Sequence, residues 1–501
     1  MRKLFNEQMK IGAIDISSIE IDKESRDEIP KTLLGLQSIF TNILIRERVF
    51  TILKQALPPK SLKGLGRTGM SAWEIMVLSA IKLSCDTDYD HLKDISDNHN
   101  KVRLMLGLSP LIDDKYTYGL QTLKDNIGLL SEETLRQINQ VVVEYGHEIC
   151  GATNEGDLHC KCDSYVLQTD VHYPTDIGLM FDAIRKVIEL TGRLCEKLEV
   201  PGWRTYEANI KAIKKRYRKA QKLKHSTSKN EEVRQKRTDI IKEAYLSYIE
   251  LVRNYLQKVT DTIQMIKEEI PGLHLETYGI EYYIEHAERQ IDQTYRRVIE
   301  NEKIPHDEKV FSIFETHTEW ISKGKAGVPQ ELGRRVAIVE DQYGFIIDYY
   351  IGKQETDDQI AVPLIKSAKT LFPNMVSCSF DKAFYKPDNK KELNPYLELL
   401  VMPKKGKRNK TEQQEESKAE FQKARQQHSA VESAIASLQN HGLKKCRNKG
   451  EVGFNKYVAV GILAFNIHKL GAVIQEQHRK SEARRKKYLK TYEENRHYQI
   501  A

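Results

Sequence analysis

The chain has 501 residues, 40% of them hydrophobic and 30% charged. That is enough for roughly three domains with sizeable cores, and it excludes a disordered or membranous composition. Seven scattered cysteines, an odd count, exclude a disulfide scaffold and fit a reducing cytoplasm, and the net charge of +8 is too small to identify a nucleic-acid partner by itself.

The longest apolar run, Tyr457 to Ile467, is too short to span a bilayer and contains Asn466, while the N-terminal MRKLFNEQMKIGAIDISS has no apolar secretory core. A soluble cytoplasmic protein without a membrane partner is therefore expected. Residues 1–45 lack a strong period and are expected to form an arm or helical lead-in. A helical domain is predicted over 46–150. Within it Ser71 and Glu74 make a capping box ahead of the apolar stretch Trp73–Leu83, and Ser131 caps a helix carrying Leu135, Ile138 and Val142. Short helices joined by polar turns suit a helix-turn-helix-like DNA-binding module or a small packing domain, and the residues leave both open.

The texture changes near Asp157. HCKCDSYVLQT (159–169) is rich in strand formers and alternates, so 157–175 is predicted to hold the first strand of an α/β core. Helical pattern returns over 176–303, where Ile241, Tyr245, Tyr248, Val252, Tyr255 and Val259 recur at coiled-coil-like spacing. Arg204–Lys224 holds nine Lys/Arg against the single acid Glu207, with Trp203, Tyr206 and Tyr217 interleaved. The remainder of the core is expected over 304–475. RRVAIVEDQYGFIIDYYIG reads as two strands around a turn at Gln342–Gly344. An amphipathic helix follows over Asp357–Leu371, then a strand MVSCSFD ending at Asp381, a helix over Asn389–Leu397, a strand Leu399–Met402 and a long helix from Ser417 to Gln439. Residues 476–501 are expected to form a basic tail. With the helical interruption removed, this order matches an RNase H-like α/β core: a mixed sheet with flanking helices, interrupted by a large helical insertion and preceded by an all-helical domain.

Phosphodiester cleavage at neutral pH is served by paired hard cations, which want carboxylate oxygens converging from rigid elements. Asp163 in the first strand, Asp381 closing a later strand and Glu432 on the last long helix are suitably placed. Ser417 with Glu420 reads as a capping box for that helix, and Gly442 as its stop. Phe421, Ala424, His428, Val431, Ile435 and Leu438 form its inward stripe, with Arg425, His428 and Glu432 on one side. Spacing alone does not single these acids out from 71 Asp and Glu.

Four strings add a resemblance. CDSYVLQTDVHYPTD (162–176), FETHTEWISKGKAGVPQELGRRVAIVEDQYGFI (314–346), FDKAFYKPDNKKEL (380–393) and RQQHSAVESAIASLQNHGLKKCRNKG (425–450) resemble the conserved segments of bacterial insertion-sequence DDE transposases, nearest the ISNCY type. The resemblance implies Asp163, Asp381 and Glu432 as the DDE triad, holding two Mg²⁺ (or Mn²⁺) ions on an RNase H-like fold. Related families carry Arg four residues before the glutamate and Lys seven after it, where this chain has His428 and Gln439. Contacts to DNA phosphates are then expected from Arg425, His428, Lys444, Lys445 and Arg447. Asp170 and Asp176 lie near Asp163, but DVHYPTD with its Pro174 reads as a loop, which favours Asp163.

The basic runs Lys404–Lys410 and Lys444–Lys449 flank the Glu432 helix, and phosphate contact is expected there, including Lys404 and Lys405. The same is expected of Lys214, Lys215, Arg218 and Lys222 in the insertion, with the neighbouring aromatics facing DNA; Arg479–Lys490 is undecided. His147, Cys150, His159, Cys160 and Cys162 invite a zinc reading, but their spacing matches no standard pair and buried strand cysteines are common. The expected function is a transposase. It would bind the terminal repeats of its element as double-stranded DNA, act as a homodimer on paired ends, and carry out metal-dependent strand cleavage and transfer near the bacterial nucleoid. The alternatives are an RNase H-like nuclease or resolvase without strand transfer, and a domesticated DNA-binding protein without catalysis.

Overall fold

A computed structural model describes residues 3–5, 10–56, 69–152, 156–270, 272–322 and 330–500, with only the backbone of residues 274, 275 and 490–500. Residues 323–329, inside the second of the four resembling strings, lie outside the described residues, as do parts of the expected N-terminal arm. Contacts divide the chain into one unit of Met1–Asp170 with Ile321–Ala501 and a second of Val171–Trp320.

The first unit begins with helices Glu28–Thr41 (α1), Ile43–Ala56 (α2), Ala72–Ser84 (α3), Tyr89–Asn98 (α4), Asn100–Met105 (α5), Leu120–Ile127 (α6) and Glu132–Ile149 (α7). Ser71 and Glu74 form the expected capping box on α3, and the Ser131 hydroxyl accepts from Thr134 N–H at the start of α7. Residues 28–41 are not a free arm: Leu33, Leu36 and Ile39 of α1 are buried. These helices share one hydrophobic core with the sheet that follows.

Strand Leu158–Thr169 (β1) ends this stretch, and the chain then enters the second unit. There Asp176–Lys197 (α8), Tyr206–Lys222 (α9), Glu231–Glu269 (α10) and His274–Val298 (α11) pack about their own core. At ~1.5 Å per residue α10 is about 58 Å long. Its predicted seam is inside: Ile241, Tyr248, Val252 and Val259 are buried, and Tyr245 and Tyr255 are half-buried.

The chain re-enters the first unit within strand Glu319–Ser322 (β2) and continues with strands Gln330–Glu340 (β3) and Ile346–Ile351 (β4), helix Asp357–Leu371 (α12) and strand Met375–Phe380 (β5). Helix Pro387–Leu393 (α13), strand Leu399–Val401 (β6), helices Lys410–Glu416 (α14), Ala419–Gln427 (α15) and Ser429–Leu438 (α16), strand Lys445–Cys446 (β7) and helix Glu451–Ile500 (α17) complete it. The result is an α/β fold around an open mixed sheet of seven strands, in the order β2-β3-β1-β5-β6, with β4 on β3 and β7 on β1. β1 is antiparallel to β3 and parallel to β5 and β7, and β4 is antiparallel to β3. The expected turn between β3 and β4 is built by Asp341, whose Oδ1 accepts from the Tyr343 and Phe345 N–H groups, with Gly344 supplying a positive φ of 82°.

Helix α17 runs on through the expected basic tail instead of ending before it. It is the one helix among the described residues long and apolar enough to cross a membrane, and 72% of that apolar window is buried inside the protein. Asn466, which interrupts the apolar run, is fully buried. Its amide donates to the Ile346 carbonyl and to Asn139 Oδ1 (both 2.8 Å) and accepts from Ile346 N–H at 2.9 Å, so it ties α17 to α7 and β4. Against α1 the helix comes so close that a Cβ on Gly35 would stand 2.1 Å from the Ile467 carbonyl oxygen. Only glycine permits that crossing.

Candidate active site

Cys162 on β1 pairs in parallel register with Phe380 on β5. Asp163 and Asp381 follow these partners, so their backbones stand on neighbouring chains at the ~4.8 Å spacing of adjacent strands. β5 stops at Phe380, and the short turn Lys382–Phe384 buries Phe384 against Phe380 with ring centroids 5.6 Å apart, which leaves Asp381 exposed. On β1 the same edge is taken by β5 up to Cys162 and by β7 from Gln168 onward. α16 packs against β1. Its Val431, Ile435 and Leu438 are buried, and Glu432 in its first turn stays accessible.

Of the three acids expected from the sequence, Asp381 and Glu432 are both brought within electrostatic reach of Asp163. Burial pushes the half-buried Asp163 carboxyl up to about 6; the Ser164 N–H, donating to Oδ1 at 2.7 Å, opposes this, while the charges of Asp381, Asp357 and Glu432 reinforce it. Neither the Asp381 nor the Glu432 carboxylate has a hydrogen-bond or ion-pair partner among the described residues. At those two carboxylates the cluster is therefore negative without an ion-pair partner, and all its donors are hard carboxylate oxygens of the kind Mg²⁺ and Mn²⁺ take up. Asp357 is the member that sequence reasoning missed. It opens α12 behind a Thr356–Gln359 capping box, accepts from the Ser164 hydroxyl at 2.5 Å and pairs with Arg335 at 3.1 Å. Those partners already balance its charge. Asp170, by contrast, is exposed and paired with Lys445, and Asp176 opens α8 of the second unit, paired with Arg297.

The long helix expected from Ser417 to Gln439 is two helices, α15 and α16. Ser417 closes α14, with its hydroxyl donating back to the Gln414 carbonyl, so the expected Ser417–Glu420 capping box does not form and Lys418 precedes the next helix instead. At His428 the backbone tightens: its N–H donates to the Arg425 carbonyl, and Val431 N–H to the His428 carbonyl. The inward stripe survives this break. His428 Nδ1 lies 3.0 Å from Ser379 Oγ, two residues before Asp381, which ties the Glu432 helix to the strand carrying the second aspartate. Burial pushes this imidazole down, with Asp381 and Glu432 pulling it the other way, and its buried Nε2 has no partner.

The predicted phosphate contacts divide. Lys405 and Lys444 are exposed and have no ion-pair partner among the described residues, whereas Lys404 is held by Glu412 at 2.8 Å and Arg425 lies 3.9 Å from Glu416. Lys445 pairs with Asp170 and Arg447 with Asp86 at 2.9 Å, both at the surface, where such pairs are worth ~0–1 kcal/mol and exchange readily for a phosphate. Because β7 pairs with Gln168 and Thr169, this basic turn is fixed five to six residues along β1 from Asp163, or ~17–20 Å at ~3.3 Å per residue. That is about five base pairs of duplex.

In the second unit Lys214, Lys215, Arg218 and Lys222 are exposed along α9 without ion-pair partners among the described residues, but the interleaved aromatics do not share their face. Trp203 is buried with its indole N–H donating to Thr262 Oγ1 at 3.0 Å, and Tyr217 stacks on Phe181 at 5.1 Å. Tyr206, Ile210, Ile213, Tyr217 and Ala220 follow helical spacing and form the packed side, the signal that separates them from the lysines. The zinc reading near β1 finds no support among the described residues: His147 Nε2 is bound to Asp341, His159 Nδ1 to Ser377, and Cys160 and Cys162 are buried. Comparison with protein-family models, with curated proteins and with solved structures finds no match.

Proposed function

We propose that this protein is a DDE-type transposase with an RNase H-like catalytic fold, which binds the double-stranded ends of its element, cuts them and joins the freed 3′-hydroxyl to target DNA. The observation that carries this reading is that carboxylates from the end of β5 and the first turn of α16 both act electrostatically on Asp163 in the middle of β1, with no cationic side chain paired to the Asp381 or Glu432 carboxylate among the described residues. The sheet supports it as well: β4, β3 and β1 are antiparallel in sequence, and β5 and β6 continue parallel to β1. The four resembling strings carry all three acids. A cytoplasmic setting and a homodimer on paired ends belong to the same proposal.

Asp163, Asp381 and Glu432 would hold two Mg²⁺ or Mn²⁺ ions, which when bound supply activation of the attacking hydroxyl and stabilisation of the leaving oxygen. In cleavage, water attacks phosphorus, the P–O3′ bond breaks, and a proton ends on the 3′-oxygen. In transfer, that 3′-hydroxyl attacks a target phosphodiester in the same way. Asp163, anchored within β1, is the fixed member, and Asp381 and Glu432 present the accessible oxygens. His428 positions the Glu432 helix through Ser379. Lys405, Lys444, Lys445 and Arg447 hold the duplex on either side.

The test is cleavage of a plasmid carrying the DNA that flanks this gene on both sides. Wild-type protein with Mg²⁺ or Mn²⁺ cuts at the element ends. Asp163→Asn, Asp381→Asn and Glu432→Gln each lower cleavage by roughly a thousandfold or more, the scale of losing one member of a catalytic group that acts as a unit, while affinity for the same ends stays close to wild type. A variant that cuts at a near-normal rate removes its residue from the site, and wild-type protein that cuts without ever joining identifies a nuclease.

A further inference from the structure

Away from the carboxylates, the first unit gathers a second set of ligand-type side chains. Glu28 opens α1, His441 lies in the turn after α16, and His468 is in the middle of α17. Their donor atoms all lie within 4.8 Å of one another. Ligand atoms on a tetrahedral zinc with ~2.0–2.1 Å bonds stand ~3.4 Å apart, so an adjustment of about 1 Å closes the set.

The tautomer of His441 is fixed by its surroundings. Nδ1 lies 2.6 Å from the Ser84 carbonyl oxygen, which only accepts, so Nδ1 carries the proton and Nε2 presents a lone pair. That lone pair faces Glu28 Oε2 at 4.0 Å. His468 Nε2 also touches Glu28 Oε2, but without hydrogen-bond geometry, and has no other partner among the described residues. The two rings are 4.7 Å apart between centroids, both turned to one carboxylate, and Lys31, 3.4 Å from Glu28, is the cation that now balances it. A backbone carbonyl behind a histidine, with Nε2 aimed at a shared point, is how protein metal sites orient imidazole.

We infer that Glu28, His441 and His468 form a transition-metal site, for Zn²⁺ by its two-imidazole, one-carboxylate donor set, separate from the carboxylate cluster at Asp163. Mg²⁺ and Ca²⁺ prefer all-oxygen sites and would not take it. Three protein ligands leave one position of a tetrahedral ion for water. The ion would join the start of α1 and the middle of α17 to the turn that ends the Glu432 helix. Its role would then be to hold that helix in place.

The inference does not depend on the transposase reading, and its readouts do not use cleavage. The full chain, stripped with chelator and dialysed against Zn²⁺, should retain one Zn²⁺ per chain by elemental analysis; Co²⁺ should replace it with the visible absorption of a four-coordinate site. His441→Gln and His468→Gln should each weaken Zn²⁺ binding by more than about 100-fold, exceeding the 10–100-fold typical of losing an outer-shell partner. Glu28→Gln, a milder change at a partly exposed residue, should weaken it as well while circular dichroism stays that of wild type. Asp163→Asn should leave Zn²⁺ binding unchanged. A chain that retains no Zn²⁺, or variants that retain as much as wild type, would overturn the inference.

Discussion

Asp163 shows why a catalytic acid is costly to its own fold. Its carboxyl is shifted to about 6 by burial and by Asp381, Asp357 and Glu432, so the folded protein holds this proton more tightly than the unfolded chain does. The sign follows. Around pH 4 and below the group is protonated when folded and costs nothing; stability falls as pH rises toward 6, and the penalty is complete above it. The gap from the ordinary aspartate value of 3.8 corresponds to ~3 kcal/mol at ~1.4 kcal/mol per pH unit. Metal-free Asp163→Asn, which keeps an oxygen for the Ser164 N–H, should therefore match wild type near pH 4 and exceed it by up to ~3 kcal/mol above pH 7 in urea unfolding. Equal stability at both pH values would mean that Asp163 feels no such cluster.

At the scale of elements, α9 separates its two faces cleanly, with the packed side inside the second unit and the basic side in water. If the basic side meets DNA, replacing Lys214, Lys215, Arg218 and Lys222 by Ala should lower affinity for element ends and make the log–log salt slope shallower by ~0.9 for each phosphate no longer neutralised. An unchanged slope and affinity would make this face a solubilising surface only. Which elements are legible in the sequence follows from how local their causes are. Asp357–Leu371 is readable to the residue because its amphipathic period lies within the helix. The break at His428 is not, because tightening one turn leaves the buried stripe in phase on both sides. The aromatics of α9 are misplaced by a sequence reading because a dense charge run masks the underlying 4-3-4-3 spacing of Tyr206, Ile210, Ile213, Tyr217 and Ala220. Asp357 carries no signal at all, since only the folded sheet brings the start of α12 beside β1.

Over the whole molecule, the helical interruption is visible in the sequence as a long stretch of its own period, and it forms its own unit. The union of the N-terminal helices with the sheet is not visible there. Burial is readable on α7 from its period and on α17 from its apolar run, but the partner that buries them is not, and the Asn466 link to Asn139 and Ile346 depends on all three elements at once. What this assembly achieves is to bring Asp381 and Glu432, from distant stretches of chain, within electrostatic reach of Asp163. The most direct measurement of that claim is anomalous diffraction from crystals of the full chain soaked in Mn²⁺. The account predicts manganese density contacted by Asp163, Asp381 and Glu432, absent from Asp163→Asn crystals of the same form. Saturating Mn²⁺ with no density there, or density only beside His441 and His468, would contradict it.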